Sequence, residues 1–193
     1  MPESSLLPCC LRALFTVFAP CLAPQRALDA NLLSFTVWNY CAENSNERGD
    51  LWNDEDLSVF SPDQRHRPED LHSGGRALPA LVRPYALRTA GEPLNMTFQA
   101  LAPDRSWMFQ FRHDPVLIPE HSPTVIFVPQ YQYLREVDLQ VDVSDGSFKV
   151  QWDQQTLTYV HTTKMPTHTI TLRLRRGAAS TVGLTAPARK PGS

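Results

Sequence analysis

The sequence predicts a mostly β protein whose C-terminal half is an antiparallel β-sandwich. Its 17 prolines, about twice the average share, lie between apolar runs and favour short strands joined by turns. After Gly91, apolar and polar residues alternate in about seven short segments, which is the strand number of a typical sandwich. These observations argue against a protein built from long helices.

The residues before Gly91 have a different pattern and predict a βα unit that could not fold alone. Arg26–Leu33 is typical of the end of a helix, and Ser34–Tyr40, "SFTVWNY", is a continuous β-prone run typical of a strand covered on both faces. A polar loop, Cys41–Ser61, follows this strand, and loops of such length are usually functional. A helix is predicted over Ser73–Val82.

The predicted sandwich strands each have one polar face. Asp145-Gly146, between two of them, predicts a tight hairpin turn because both central positions of such a turn favour positive φ. The apolar faces comprise Trp107, Phe109 and Phe111; Val137, Leu139, Val141 and Val143; Phe148, Val150 and Trp152; and Ile170, Leu172 and Leu174, with further strands in "NMTFQA", "TVIFVP" and "TLTYVH".

Charge and metal-ligand patterns exclude several classes of function. The net charge is -2 and no basic run exceeds two residues, so no nucleic-acid partner is expected. The four cysteines, Cys9, Cys10, Cys21 and Cys41, have no C-x-x-C spacing and are interpreted as free thiols. The six histidines lack metal-site spacing, and no Gly-rich phosphate loop is present. Neither a metal nor another cofactor is expected.

Residues 1–26 are interpreted as a leader, either disordered or a weak signal. Arg12 and three prolines interrupt its apolar run, so no transmembrane helix is expected. The segment has no basic residue before Arg12, and Cys21-Leu22-Ala23 would be a poor cleavage site. An intracellular location, cytoplasmic or vacuolar, is therefore favoured over secretion. Residues 177–193 lack apolar periodicity and predict a disordered tail.

The loop after the first strand is the candidate ligand site. An indole at Trp38, near the strand end, can stack on the apolar face of a pyranose ring, and amides and carboxylates can bind its hydroxyl groups. The candidate substrate-binding residues are Trp38, Asn44, Asn46, Asp50 and Trp52. The alternative is a core tryptophan followed by an ordinary solvated loop. No residue is nominated as catalytic, since no carboxyl group stands alone in an apolar setting.

Four segments together resemble the C-terminal part of glycoside hydrolase family 5 enzymes, in the fungal endoglycoceramidase-related group of glucocerebrosidases and steryl β-glucosidases. They are "FTVWNYCAENSNERGDLWNDEDLSVFS", "SGGRALPALVRPYA", "AGEPLNMTF" and "TVIFVPQYQY". The resemblance implies a (β/α)8 TIM barrel followed by a β-sandwich, and retaining hydrolysis of β-glucosylated lipids by two glutamates. It implies that Trp38 lines the glucose subsite. Residues 27–90 would be the last βα unit of the barrel, a remnant preceding the sandwich at 91–176.

The catalytic glutamates of this family lie on strands upstream of the one that Ser34–Tyr40 resembles. No "NEP"-type motif is present, and the acidic residues before Trp38 are Glu3 and Asp29. We therefore expect an inactive C-terminal fragment of a lipid β-glucosidase. Two alternatives stay open: an accessory sandwich that binds glycolipid or a membrane surface through Tyr131 and Tyr133, and a purely structural sandwich.

Overall fold

Two four-stranded antiparallel sheets make up most of the described structure. It is a computed structural model that describes residues 22–51, 56–116, 118–119, 121–162 and 165–175. The first sheet has the strand order β1-β4-β7-β6 and the second β2-β3-β8-β5. The strands are β1 Tyr85–Arg88, β2 Glu92–Phe98, β3 Trp107–Arg112, β4 Thr124–Phe127, β5 Leu139–Val143, β6 Ser147–Gln151, β7 Thr156–Val160 and β8 Thr167–Leu174. The predicted β-sandwich is confirmed.

The inward faces of the two sheets form one hydrophobic core. Trp107, Phe109 and Phe111 of β3 are at most 2% exposed, and their rings stack in sequence with centroids 5.9 Å apart. Phe111 meets Tyr159 of the opposite sheet edge-on at 6.2 Å. Burying such side chains stabilises the fold by about 1.5–3 kcal/mol each, and their alternation is the one that the sequence predicts.

Three details of the sandwich differ from the sequence prediction. Strand β1 was not predicted, although it pairs with β4 in the first sheet. Val137 lies in a 3-10 turn, Glu136–Asp138, and is 66% exposed, so the alternating strand begins only at Leu139. Phe148 is 42% exposed because β6 is an edge strand with a single neighbour, β7.

The Asp145-Gly146 turn does not form the predicted hairpin. Strand β5 pairs with β8 in the second sheet, whereas β6 pairs with β7 in the first. The turn therefore carries the chain from one sheet to the other. Gly146 has the expected positive φ of 70°, and a Cβ there would lie 2.2 Å from the Val160 carbonyl oxygen. Asp-Gly chemistry predicts a chain reversal, but the partners of the flanking strands decide whether that reversal makes a hairpin.

The segment before the sandwich contains two short helices and a long loop. Helix α1 covers residues 22–30, so it begins inside the predicted leader, and Gln25 is 4% exposed. Helix α2, Leu78–Leu81, is shorter than the predicted Ser73–Val82, because Ala77 has a left-handed φ of 53° and Pro79 suits only a first helical turn. The leader residues 1–21 and the tail residues 176–193 lie outside the described residues.

Ser34–Tyr40 has no regular secondary structure and bends at Trp38, so it does not form a strand among the described residues. A strand covered on both faces requires neighbouring strands and helices, and Trp38 and Tyr40 are instead 64% and 68% exposed. The prediction of a paired strand is therefore wrong for the chain in this structure. Cys41, which follows it, is a free thiol, and the other three cysteines lie outside the described residues. None of the described helices is long and apolar enough to cross a membrane.

Buried polar contacts join α1 to the sandwich. The guanidinium of Arg83 pairs with the carboxylate of Asp29 and donates to Gln25 Oε1 at 2.9 Å. Burial raises the pKa of Asp29 and lowers that of Arg83, while the attraction between the two charges opposes both shifts. Arg83 also lies over the ring of Phe98 in β2, 5.4 Å from its centroid. The described part of the chain before β1, residues 22–51 and 56–84, is called the front segment. These side-chain contacts fix it to the β-sandwich, in addition to the backbone connection.

Candidate functional site

The loop that begins at Trp38 presents two large aromatic side chains at the surface. We call residues 38–61 the Trp38 loop; its residues 52–55, which include Trp52, lie outside the described residues. The Trp38–Asn39 peptide is cis. Tyr40 stacks on Phe60 with ring centroids 5.5 Å apart, so the two ends of the loop are in contact. The exposed indole of Trp38 is therefore carried by a loop closed at its base.

Asp50 fixes the backbone next to Trp38. Its Oδ2 atom accepts a hydrogen bond from Asn39 Nδ2 at 3.0 Å and another from the Leu57 amide at 3.1 Å. Asp50 is 9% exposed. Hydrogen bonds to a buried carboxylate are among the stronger ones in proteins. Asp50 therefore holds the two sides of the loop together in this structure.

A second polar group in the loop consists of Asn44, Asp56 and Arg76. Asn44 is fully buried, and its Nδ2 donates to Asp56 Oδ1 at 2.6 Å. The same carboxylate oxygen accepts from Arg76 Nη1 at 2.7 Å. The Arg76 amide donates to the Val59 carbonyl at 2.7 Å. This group connects the loop to the segment that leads into α2.

The structure places the predicted sugar-binding residues in two sets. Trp38 and Asn46 are exposed, and the Asn46 amide donates to Asp63 Oδ2 at 2.7 Å. Asn44 and Asp50 are buried, and the polar atoms described above bind within the protein. Trp52 lies outside the described residues. Direct contact of these five residues with a sugar stays a prediction. Of the described ones, Trp38 and Asn46 have the surface exposure that such a contact needs.

The described carboxyl groups near Trp38 do not form a buried acidic pair. Glu43 and Glu47 are both exposed. The carboxyl group whose pKa is raised by burial, Asp29, lies in α1 and is paired with Arg83. A retaining glycosidase needs two carboxyl groups roughly 5 Å apart on either side of the bond. Among the described residues, no group of three or more His, Cys, Asp or Glu side chains could hold a metal ion.

Three histidines, which appeared scattered in the sequence, meet at one end of the sandwich. The ring of His161 lies 4.2 Å from that of His168 and 4.5 Å from that of His113, centroid to centroid. His161 and His168 are 3% and 0% exposed. Their alternation with core residues was the missed signal, since His161 continues the inward face of Tyr159 and His168 that of Ile170.

Asp145 anchors this histidine cluster and joins the sheets. Its carboxylate accepts hydrogen bonds from Tyr159 Oη at 2.7 Å, from the Thr162 amide at 2.7 Å, and from His168 Nδ1 at 2.8 Å. Burial alone would raise the pKa of Asp145, but these donors hold it well below its usual range. Burial, then the neighbouring imidazoles of His168 and His113, lower the pKa of His161 to about 4. Two of the three histidines are buried and the carboxylate is bound within the protein, so the cluster is interpreted as a structural feature.

The tyrosines of the accessory-module alternative are not a free aromatic surface. Tyr133 is fully buried, and its hydroxyl group donates to the Arg105 carbonyl at 3.1 Å. Tyr131 is half-buried, with its ring 4.9 Å from that of His72. Both residues lie in a short helix, α3, Gln130–Tyr133, in which only Gln132 and Tyr133 are buried. Tyr133 is therefore unavailable for contact with a membrane, and peripheral membrane contact of the module stays a prediction.

The fold and the Trp38 loop define a class of protein. It is a β-sandwich module preceded by a short helical segment, and that segment carries a polar loop with an exposed aromatic side chain. Residues 83–173 match the family model for the glycoside hydrolase family 5 C-terminal domain. Residues 83–173 are therefore similar to the C-terminal domain of glycoside hydrolase family 5, in agreement with the sequence motifs.

Similar proteins from fungi support the same assignment. A glucosylceramidase of Rhizopus delemar is 35% identical over 144 residues, covering 68% of this chain and 20% of the relative. An ergosteryl-beta-glucosidase of Saccharomyces cerevisiae is 25% identical over 187 residues, covering 70% and 24%. The crystal structure of Cryptococcus neoformans sterylglucosidase 1 superposes with a TM-score of 0.70 and 27% identity, covering 81% of this chain and 24% of that one. The chain thus spans about a fifth to a quarter of the length of these relatives.

Proposed function

We propose that this chain is the C-terminal part of a retaining β-glucosidase acting on glucosylated lipids, glucosylceramide or steryl glucoside. The observation that carries the proposal is the match of residues 83–173 to the family 5 C-terminal domain, together with relatives named for these two lipid classes. The Trp38 loop supplies one wall of the glucose subsite, with the indole stacking on the sugar ring. A stacking indole recognises the sugar ring and does not select between the two aglycones.

We further propose that residues 1–193 taken alone do not hydrolyse a glucoside. The acidic residues that precede Trp38 are Glu3 and Asp29, and the carboxylate of Asp29 forms an ion pair with Arg83. Without a proton donor and a nucleophile, glycosidic bond cleavage loses most of its acceleration. The chain then retains a sugar-contacting surface while the catalytic step needs groups from elsewhere in the barrel.

A hydrolysis assay and a binding assay test the two parts separately. The 193-residue protein is expected to leave 4-nitrophenyl β-glucoside and glucosylceramide intact, and robust turnover would refute the second part. For binding, octyl β-glucoside is expected to protect Trp38 from acrylamide quenching. Trp38→Phe removes that emission, and Trp152→Phe, a half-buried indole in the sandwich, is the matched control. Equal protection in the Trp38→Phe variant would contradict the assignment of the glucose-contacting indole.

A further inference from the structure

Gln132 lies in α3, the short helix that connects β4 to β5 of the sandwich, and its amide group points at the front segment. Its side chain is 1% exposed, and its Nε2 donates to the carbonyl groups of Pro79, at 3.1 Å, and Val82. Its Oε1 accepts from Arg105 Nη1 at 2.6 Å. Because a guanidinium can only donate, the orientation of the amide is fixed. Both amide protons therefore serve the end of α2.

The two carbonyls that Gln132 binds belong to the C-terminal end of a helix, at half-buried residues. The last carbonyl groups of a helix have no partner within it and need one from outside. In α2, Leu78–Leu81, and its C-cap Val82, a single buried amide from the sandwich supplies that partner. The position and orientation of α2 are thus set by the sandwich.

From α2, hydrogen bonds continue to the backbone beside Trp38. Arg76, just before α2, binds Asp56 through its guanidinium and the Val59 carbonyl through its amide, both at 2.7 Å. The Val59 amide donates to the Asn39 carbonyl at 2.9 Å. Asn39 is the next residue after Trp38. A continuous series of contacts therefore leads from the sandwich to the residue adjoining the indole.

The chain before Trp38 is held to the sandwich as well. Asp29 and Gln25 of α1 are bound by Arg83, which lies two residues before β1. Residues 31–37 connect α1 to Trp38, so this contact lies close to the indole along the chain. The Trp38 segment is consequently held to the sandwich on both of its sides, by Arg83 before it and through Gln132 after it.

We propose that Gln132 is a positioning residue for the glucose-contacting indole of Trp38. It acts through α2 and Arg76, and the sandwich thereby takes part in forming the glucose subsite. The inference rests on the proposed function for the identity of the ligand, but the positioning itself is a property of the fold. Glucoside binding is expected to depend on a side chain that cannot touch the sugar.

The test compares Gln132→Met with Gln130→Met in the full 193-residue chain. Methionine keeps the volume of glutamine but leaves the Pro79 and Val82 carbonyls without their donor. Gln130 is the matched control, since it lies in the same helix α3 and its Nε2 donates to the Trp152 carbonyl within the sandwich, at 2.9 Å. Hydrogen exchange of the Asn39 and Val59 amides reports on the loop, and that of Phe109 and Leu172 on the sandwich.

Gln132→Met is expected to speed exchange at Asn39 and Val59 about tenfold relative to Gln130→Met, since an unsatisfied buried carbonyl costs enough for such a factor. Exchange at Phe109 and Leu172 is expected to be equal in the two variants. Octyl β-glucoside should bind Gln132→Met about tenfold more weakly. Equal exchange at Asn39 in both variants would overturn the proposal. If Gln132→Met does not fold, Gln132→Asn, whose amide is one methylene short of the carbonyls, replaces it in the same comparison.

The two proposals fail in different ways. If the parent protein does not bind octyl β-glucoside but exchange at Asn39 still responds to Gln132, the ligand assignment is wrong and the positioning stands. If the parent protein binds and Gln132→Met binds equally well, the indole is positioned without Gln132.

Discussion

Replacing His161 with leucine should remove much of the acid sensitivity of the sandwich. His161 is 3% exposed, and both of its ring nitrogens lack a hydrogen-bond partner among the described residues. Burial first, and then the imidazoles of His168 and His113, disfavour the protonated ring, while Asp145 favours it. The pKa of His161 is lowered from 6.5 to about 4 in the folded protein. Between these two pKa values the unfolded chain therefore binds a proton that the folded protein does not bind.

The size and sign of the effect follow from this difference. Above pH 6.5 both states have a neutral ring, so the full stability is present; as the pH falls toward 4, only the unfolded state gains the proton. Each pH unit in this window costs about 1.4 kcal/mol. Between pH 7 and pH 4.5 the contribution of His161 is a loss of about 2.5 kcal/mol in the free energy of unfolding. Asp145, whose pKa is lowered, adds its own loss only below its unfolded pKa of 3.8.

Urea denaturation at pH 7, 6, 5 and 4.5 measures the effect. His161→Leu should reduce the decline in stability over this range by about 2.5 kcal/mol relative to the parent, whatever its stability at pH 7. Ile170→Val is the control for packing: it should lose about 1 kcal/mol at every pH without changing the decline. Parallel declines in the parent and His161→Leu would refute the reasoning, because the buried ring would then be protonated in the folded protein.

Three further substitutions test two buried polar contacts and the turn at Gly146, by urea denaturation at pH 7. Arg83→Met should cost about 3–5 kcal/mol because it leaves Asp29 charged and unpaired in the interior. Gly146→Ala should cost about 2 kcal/mol or more, since its φ is positive and the added Cβ would meet the Val160 carbonyl. Asp145→Asn should cost about 3 kcal/mol, because an amide cannot accept from every donor that the carboxylate binds.

Surface substitutions provide the controls for these three predictions. Arg112 and Glu92 form an exposed pair at 3.9 Å, and Arg112→Met should cost less than about 0.5 kcal/mol. A similar small cost for Arg83→Met would show that α1 is not held by its ion pair. Costs below about 1 kcal/mol for Gly146→Ala or Asp145→Asn would contradict the close approach at the turn and the anchoring role of the carboxylate.

The sandwich core was predictable from the sequence, whereas the pairing of its strands was not. Alternation places Trp107, Phe109 and Phe111 on one face whatever their neighbours are, because the side-chain period of a strand is two. The partner of each strand depends on contacts distant in sequence, so the Asp145-Gly146 turn was assigned to a hairpin. Local propensity likewise marks Ser34–Tyr40 as β-prone but cannot supply the neighbouring strands that a paired strand needs.

The candidate site was predictable in its residue types and less so in its geometry. Trp38 was expected near the end of a covered strand, whereas the structure exposes it at the start of the loop. The burial of Asn44 and Asp50 depends on Asp56 and Leu57, which meet them only after the loop folds back. Because a sequence pattern does not distinguish an amide facing solvent from one bound within a loop, both were assigned to the sugar.

The interleaved order of the strands has a consequence for folding. In chain order the strands fall in the first, second, second, first, second, first, first and second sheet, so five of the seven connections change sheet. Neither layer can assemble from a contiguous stretch of chain, and the slow step should be the joint closure of both layers through contacts distant in sequence. A cut at any of the seven connections would leave at least one layer missing strands, so a viable piece of a longer polypeptide has to keep all eight together.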